Sequence, residues 1–152
     1  MNFSSLSEIA KYIVADGKGI LAADESNPTC KKRFDSISVE STEQNRRDYR
    51  ELLFTSKGMK ENIGGVILFD ETIRQHSDLG KPLVDMILEN GALPGIKVDK
   101  GLQPFNSSEI ETLTQGLDNL YERCAEYAAL GAKFTKWRAV INIGENLPSQ
   151  EC

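Results

Sequence analysis

Apolar positions along the chain follow two spacings, one typical of amphipathic helices and one typical of buried strands. Residues 5–8 (Ser-Leu-Ser-Glu) have the sequence of a capping box, and the apolar stripe that follows predicts a helix ending at Gly17. Gly19–Ala23 is a short, continuously apolar run, which is typical of a strand buried on both faces. The first predicted unit is therefore a helix followed by a strand.

The same order of helix and strand is predicted three more times. The further helices are predicted to begin at a second capping box at residues 41–44, at Pro82 in a first turn, and near residue 117. The further strands are predicted at residues 64–69, 95–99 and 134–143. Helices that alternate with apolar strands indicate an α/β fold with a mainly parallel sheet.

Two parallel-sheet architectures fit this pattern, an open doubly wound sheet and a closed (β/α) barrel. A dinucleotide-binding doubly wound sheet would carry G-x-G-x-x-G after its first strand, and no such spacing follows Ala23. The chain also lacks the G-x-x-x-x-G-K-[ST] phosphate loop. These observations disfavour a nucleotide-binding function.

Charged residues occur at the ends of three of the four predicted strands. Asp24 follows the first strand, Lys97 and Asp99 lie in the third, and Lys136 and Arg138 lie in the fourth. An unpaired ion inside a buried strand costs several kcal/mol, so such residues need a polar environment. In a (β/α) barrel, the C-terminal ends of the strands provide that environment because they line the active site.

A purely structural interpretation is available for each of these five residues. Asp24 could cap a helix that starts near residue 26. Lys97 and Asp99 could form an ion pair, although residues two apart on a strand are not ideally placed to do so. Lys136 and Arg138 could lie on a solvated sheet edge. The sequence alone leaves these alternatives open.

The remaining basic side chains carry less information. Arg33, Arg46 and Arg47 are most simply interpreted as solvated helix charges. His76 is the only histidine, lies in a polar segment and has no partner at ligand spacing, which predicts a surface residue.

Composition narrows the class of protein. The chain has 152 residues, 18 Lys plus Arg against 23 Asp plus Glu, 39% apolar and 27% charged residues, which is typical of a globular domain. No segment has the roughly 20 apolar residues of a membrane helix, and residues 1–11 do not resemble a signal peptide. The net charge of −5 disfavours a nucleic-acid partner. We therefore expect a cytoplasmic protein with neither a membrane nor a nucleic acid as partner.

The three cysteines, Cys30, Cys124 and Cys152, are odd in number and widely spaced. They predict neither a disulfide framework nor a zinc site, so no metal ligands are expected among them.

Lysines and an arginine converging on one cavity predict an anionic substrate, and in particular a phosphorylated one, since Arg clamps phosphate through two hydrogen bonds and Lys adds a compact charge. The carboxylate of Asp24 could exchange protons or orient a lysine. A lysine crowded by other cations could also act as an amine nucleophile. The residues by themselves do not decide between these roles.

Six sequence blocks in order closely resemble the class I fructose-bisphosphate aldolases, and the resemblance extends over essentially the whole chain. The blocks are residues 17–26 (GKGILAADES), 45–47 (NRR), 64–69 (GGVILF), 95–101 (GIKVDKG), 114–118 (TQGLD) and 136–138 (KWR). The resemblance implies a (β/α)₈ barrel that cleaves fructose 1,6-bisphosphate into dihydroxyacetone phosphate and glyceraldehyde 3-phosphate. It further implies a lysine Schiff base, no metal or other cofactor, and a homo-oligomer, a tetramer in the family.

The resemblance also implies roles for eight residues. Asp24 matches the catalytic aspartate of the first strand, and Lys136 matches the lysine that stabilises developing charge and supports carbinolamine chemistry. The residues implied to contact the substrate are Ser26, Thr29, Arg33, Arg46, Lys97 and Arg138.

The length of the chain bears on this resemblance, since a (β/α)₈ barrel typically has about 250 residues. We expect residues 1–152 to form a single incomplete (β/α) barrel domain, the first four strand-helix units of the aldolase barrel. The family's catalytic glutamates and Schiff-base lysine would lie beyond the fourth strand. Two alternatives are a catalytically inactive half-barrel that acts only as an oligomeric or interaction fragment, and a different phosphosugar-handling barrel.

Overall fold

The computed structural model describes residues 3–106 and 110–152, which form seven helices and six strands. The helices are α1 (Leu6–Ile13), α2 (Asn27–Asp35), α3 (Glu43–Phe54), α4 (Met59–Asn62), α5 (Asp70–Ile73), α6 (Leu83–Glu89) and α7 (Leu120–Ala129). The strands are β1 (Gly19–Ala23), β2 (Ile63–Leu68), β3 (Leu93–Lys97), β4 (Leu102–Pro104), β5 (Thr112–Thr114) and β6 (Phe134–Lys136).

Four of the strands form one parallel sheet in the order β1-β2-β3-β6. This confirms the predicted α/β fold with a parallel sheet and its four principal strands. The strand order follows the order along the chain, as it does in a (β/α) barrel, whereas a doubly wound sheet reverses its order at a switch point. The topology of the described residues therefore favours the barrel architecture.

The fourth strand is shorter than predicted. It was expected over residues 134–143, but β6 ends at Lys136. The Val98 N–H still donates to the Lys136 carbonyl, at 3.1 Å, whereas the Arg138 N–H points to the carboxylate of Asp99, at 3.3 Å. The Asp99 side chain thus takes the place of the next backbone acceptor, and the hydrogen bonds between β3 and β6 end there.

The prediction that the first strand is buried on both faces is wrong for the described residues. Ala23 is fully buried, whereas Ile20 is 41% exposed and Ala22 is also exposed. The face of β1 that carries Ile20 and Ala22 is exposed. This face continues to Asp24 and forms part of the cavity described below.

The helices begin at, or within a few residues of, the positions predicted from the sequence. The Ser5 hydroxyl accepts the Glu8 N–H at 3.3 Å and caps α1, as expected. The second cap is Thr42, within the predicted box, and its hydroxyl accepts the Asn45 N–H at 3.1 Å. Helix α7 begins at Leu120 rather than near residue 117.

Several short elements, among them strands β4 and β5, were not predicted from the sequence. A helix near residue 26 was considered only as one that Asp24 might cap, whereas α2 has Ser26 at its N-cap and buries only Cys30 and Phe34. Strands β4 and β5 form an antiparallel hairpin between β3 and α7, and each is only three residues long. Elements this short carry too few positions for a detectable period.

The apolar core lies between the sheet and the helices packed on its outer face. The sheet contributes Val66, Leu68 and Ile96, and helices α3 and α6 contribute Phe54, Leu83 and Ile87, all at most 1% exposed. This core fixes the strands, so side chains just beyond their C-terminal ends are held at defined positions.

Candidate active site

A cavity of about 810 Å³ opens at the C-terminal ends of the parallel strands. Seven of the eight residues singled out from the sequence line it: Asp24, Ser26, Thr29, Arg33, Lys97, Lys136 and Arg138. They come from β1, α2, β3 and β6 or the residues just after them. The sheet therefore gathers side chains that are up to 114 positions apart in the sequence, from Asp24 to Arg138 (138 − 24).

The two residues at opposite edges of the sheet form an ion pair across the cavity. The Lys136 Nζ lies 2.8 Å from the Asp24 Oδ2, and the two side chains are 30% and 13% exposed. The Coulomb attraction within a pair this shielded from water exceeds that within a surface pair, and the cost of taking the charges out of water offsets part of it. The site thus holds a carboxylate and an ammonium group in direct contact, where a proton can be donated or accepted.

Lys97 and Lys136 lie side by side, because the register of β3 and β6 pairs these two residues. Lys97 donates from Nζ to the Asp99 Oδ1 at 2.7 Å and to the Asp99 carbonyl at 2.8 Å. The ion pair between Lys97 and Asp99, one of the structural alternatives, is therefore present. It lies in the wall of the cavity, so it does not exclude a role in binding.

The buried carboxyl of Asp99 stays ionised despite its surroundings. Burial raises the pKa of Asp99, but the hydrogen bond and charge of Lys97 and the Arg138 N–H outweigh that effect and hold the pKa below its ordinary value. Asp99 therefore keeps Lys97 positioned at neutral pH.

Hydroxyl groups gather at the start of α2. The Ser26 Oγ and Thr29 Oγ1 lie 3.1 Å apart, and the Ser26 hydroxyl makes no capping bond to the helix. The first N–H groups of a helix and nearby hydroxyls are donors suited to a phosphate. Arg33, on the same helix, donates from Nη1 to Glu25 and to the hydroxyl of Tyr49.

Arg46 does not line the cavity. It forms two hydrogen bonds of 2.7 Å with the Glu71 carboxylate, and its side chain is only 13% exposed. Arg47 is equally shielded and pairs with Asp48 and Asp78. The interpretation of these two arginines as solvated charges is therefore wrong, because carboxylates from neighbouring segments cover them.

Replacing Glu71 with Gln should reduce the loss of unfolding free energy that occurs as the pH falls from 5 to 3. The hydrogen bond from Arg46 lowers the pKa of Glu71 below its ordinary 4.5. A carboxyl with a lowered folded-state pKa stabilises the protein above the unfolded-state pKa, and that stabilisation is lost as pH falls through the folded value. We expect Glu71→Gln to lower the urea midpoint at pH 7 and to reduce the further loss between pH 5 and pH 3.

The matched control for this prediction is Glu61→Gln, which makes the same charge change at an exposed position without an ion pair to another described residue. Urea midpoints at pH 7, 5, 4 and 3 would be compared. Parallel pH curves for wild type and Glu71→Gln would contradict the prediction.

Sequence reasoning missed five polar residues that line the cavity: Glu25, Asp70, Lys100, Arg123 and Tyr127. Arg123 donates to the carbonyls of Val98 and Gly116, at 2.8 and 3.0 Å, and the Tyr127 hydroxyl donates to Asp70 at 2.8 Å. Asp70 follows the second strand as Asp24 follows the first, a signal that could have been used. No comparable pattern marks Arg123 and Tyr127, because they lie on the side of α7 that carries its apolar stripe.

The described part of the chain has neither a metal-binding cluster nor a membrane-spanning helix. No group of three or more His, Cys, Asp or Glu side chains in residues 3–106 and 110–152 is arranged to hold a metal ion. Within the same residues, no helix combines the length and the apolar character needed to cross a membrane.

The strand order, and a cavity at the C-terminal ends of the strands, are those of a (β/α)-barrel protein. The family model described as "Fructose-bisphosphate aldolase class-I" matches residues 5–152. The chain belongs to the class I fructose-bisphosphate aldolase family.

Similar proteins come from bacteria and plants. The chain is 53% identical over 152 residues to "Probable fructose-bisphosphate aldolase class 1" of Xanthomonas campestris pv. campestris, covering 100% of this chain and 46% of that protein. It is 56% identical over 144 residues to "Fructose-bisphosphate aldolase 7, cytosolic" of Arabidopsis thaliana, covering 95% and 40%. The chain thus spans less than half the length of these relatives.

A solved structure is also similar. Fructose-bisphosphate aldolase from Plasmodium falciparum, in complex with TRAP and a small-molecule inhibitor, matches with a TM-score of 0.92 and 49% identity. The match covers 96% of this chain and 43% of that chain. The fold is therefore that of part of an aldolase barrel.

Proposed function

We propose that this chain forms the part of a class I fructose-bisphosphate aldolase that binds the substrate and moves protons around its reacting carbons. The whole protein would cleave fructose 1,6-bisphosphate reversibly into dihydroxyacetone phosphate and glyceraldehyde 3-phosphate. The observation that carries this proposal is the 2.8 Å contact between Lys136 and Asp24 inside a cavity lined by further cations.

The cations and hydroxyls of the cavity suit a phosphorylated sugar. Lys97 and Arg138 would hold one phosphate group, with Ser26, Thr29 and Arg33 contributing further donors from α2. The guanidinium of Arg138 forms no ion pair with another described residue, so it can bind an incoming anion without first losing a partner. Arg46 would act indirectly, because its ion pair with Glu71 joins α3 to α5.

Asp24 and Lys136 suit the proton transfers of carbon–carbon cleavage. A carboxylate in contact with an ammonium group can accept a proton from a substrate hydroxyl while the ammonium stabilises the negative charge that develops on oxygen. Family resemblance assigns the Schiff-base amine to a lysine on a later strand of the barrel. Lys97 and Lys136 match other roles, so neither is proposed as the nucleophile.

Borohydride trapping tests this proposal in the whole protein that carries this chain. Fructose 1,6-bisphosphate would be added with sodium borohydride, which reduces an iminium to a stable secondary amine, and the labelled lysine would be located by peptide mass spectrometry. We expect cleavage of the substrate and a label outside residues 1–152. Absence of cleavage would refute the function, and a label on Lys97 or Lys136 would refute the proposed roles.

Location and assembly are proposed from the family. The relatives from Arabidopsis thaliana are named cytosolic, which supports a cytoplasmic location. The family also supports a homo-oligomer, and the proposed small-molecule partner is the phosphorylated sugar itself.

We expect a polypeptide of these 152 residues alone to self-associate, as an oligomeric fragment would. Among the described residues, the outer edges of β1 and β6 pair with no other strand, and unpaired edges favour pairing with another chain. Light scattering after size exclusion should report species larger than 16.9 kDa at micromolar concentration. A single monomeric peak with cooperative urea unfolding would contradict this expectation.

A further inference from the structure

The arginine that reaches into the cavity from α2 belongs to a cluster of four side chains, Arg33, Glu25, Tyr49 and Arg50. The Arg33 side chain is 55% exposed, and its Nη1 donates both to the Glu25 Oε1 and, at 2.9 Å, to the hydroxyl of Tyr49. The Tyr49 hydroxyl in turn lies 3.3 Å from the same Glu25 oxygen. The negative charge of Glu25 raises the pKa of Arg33, as expected for a coupled pair.

Both hydrogens of the Arg33 Nη1 are therefore engaged within the protein. An arginine Nη atom carries two N–H donors, and here one is directed to Glu25 and the other to Tyr49. A phosphate that approached this nitrogen would find no free donor. Binding through Nη1 requires at least one of the two existing hydrogen bonds to break.

Releasing Arg33 does not leave Glu25 without a cation, because Arg50 lies beside it. The Arg50 Nη2 lies 3.0 Å from the Glu25 Oε2, an ion-pair contact without a hydrogen bond, and donates to the Glu25 carbonyl at 3.0 Å. Arg50 is only 2% exposed, and the Glu25 side chain is only 8% exposed. A buried carboxylate without any cation would be strongly destabilising, but Arg50 keeps this one compensated when Arg33 leaves.

We propose that Glu25 and Tyr49 set the affinity for a phosphate group by competing with it for Arg33. The inference rests on the proposed function in that the ligand carries a phosphate. In the unliganded protein, the carboxylate and the phenol hold the Arg33 Nη1, and a phosphate that binds this nitrogen takes over at least one of the two hydrogen bonds. Glu25 and Tyr49 are thus positioning residues that compete with the ligand for Arg33.

Tyr49→Phe, in the whole protein, is the most direct test because it removes the hydroxyl that accepts from Arg33 without changing charge; the bond that this hydroxyl donates to Glu25 is lost with it. The ring would keep its edge-to-face contact with Phe34, at 5.7 Å between centroids, and its place under Arg50. We expect the Kd for inorganic phosphate, measured by calorimetry, and the KM for fructose 1,6-bisphosphate to fall about two- to tenfold, the range for one net hydrogen bond. An unchanged or higher Kd would overturn the inference.

Glu25→Gln tests the carboxylate, and Asp35→Asn is its matched control. Both changes add one unit of positive charge next to or on α2, but Asp35 pairs only with Lys31 on the exposed side of the helix. Glu25→Gln should tighten phosphate binding more than Asp35→Asn does. If Glu25→Gln tightens binding while Tyr49→Phe does not, removal of a repelling charge explains the result and competition for Arg33 is refuted.

A double-mutant cycle identifies Arg33 as the residue that is competed for. Arg33→Met should weaken phosphate binding, and Tyr49→Phe should have no further effect in that background. If Tyr49→Phe tightens binding equally with and without Arg33, the inference is wrong. If the wild type cleaves the substrate but the variants do not change phosphate binding as expected, only the competition for Arg33 is refuted. If the wild type binds no phosphate, the proposed function is refuted as well.

Discussion

Replacing Lys136 with Met in the whole protein should lower kcat for fructose 1,6-bisphosphate cleavage by about 10²- to 10⁴-fold, the usual contribution of a positioned proton-transfer group. Lys136 is the cation in contact with Asp24, at 2.8 Å, and it lies beside Lys97 in the register of the sheet. Its loss removes the charge that stabilises developing negative charge on the substrate. It also leaves the shielded carboxylate of Asp24 without its partner.

The control for this prediction is Lys133→Met, which removes an exposed lysine three residues earlier with no ion pair to another described residue. This variant should keep nearly all of the wild-type activity. Steady-state rates and borohydride trapping would be measured for both variants. The assignment of Lys136 would be wrong if Lys136→Met kept more than half of the wild-type kcat while remaining folded by circular dichroism.

Replacing Gly64 with Ala should destabilise the protein by about 3 kcal/mol, the upper part of the range for overpacking. A Cβ at Gly64 would lie 2.5 Å from the carbonyl oxygen and 2.8 Å from the carbonyl carbon of Ile13. These are backbone atoms at the end of α1, so no side-chain rotation relieves the clash. The helix must move away from β2, and apolar contacts between them are lost.

Gly19→Ala provides the matched control, since it makes the same substitution in the neighbouring strand. The nearest atom to a Cβ at Gly19 is the Asn62 carbonyl oxygen, at 3.9 Å, which is ordinary contact. This variant should change stability by no more than about 0.5 kcal/mol. Urea unfolding midpoints of both variants and wild type would be compared, and equal midpoints for the two variants would contradict the prediction.

The candidate site could be located from sequence because ionisable residues are rare in buried strands. Asp24, Lys97 and Lys136 were identified on that ground, and all three line one cavity. Their pairing could not be predicted. Lys136 contacts Asp24 across 112 positions, and no local pattern carries information about such a contact.

Other features of the structure were also not predictable from the local sequence. Arg46 and Arg47 look like solvated helix charges, but acidic residues from later segments cover them. The hairpin of β4 and β5 is too short for its period to be read. The end of β6 depends on the side chain of Asp99, which lies two residues after the end of β3 and accepts the Arg138 N–H.

The sequence by itself determined the alternation of helices and strands, the parallel sheet and the family, because apolar periodicity, capping residues and the six motif blocks are local properties. Only the tertiary structure decided which charges meet. It paired Lys136 with Asp24, covered Arg46 with Glu71, and placed Arg33 between Glu25 and Tyr49. Such contacts depend on strand register and helix packing, which bring distant segments within a few ångströms, and electrostatic energies change steeply over that distance.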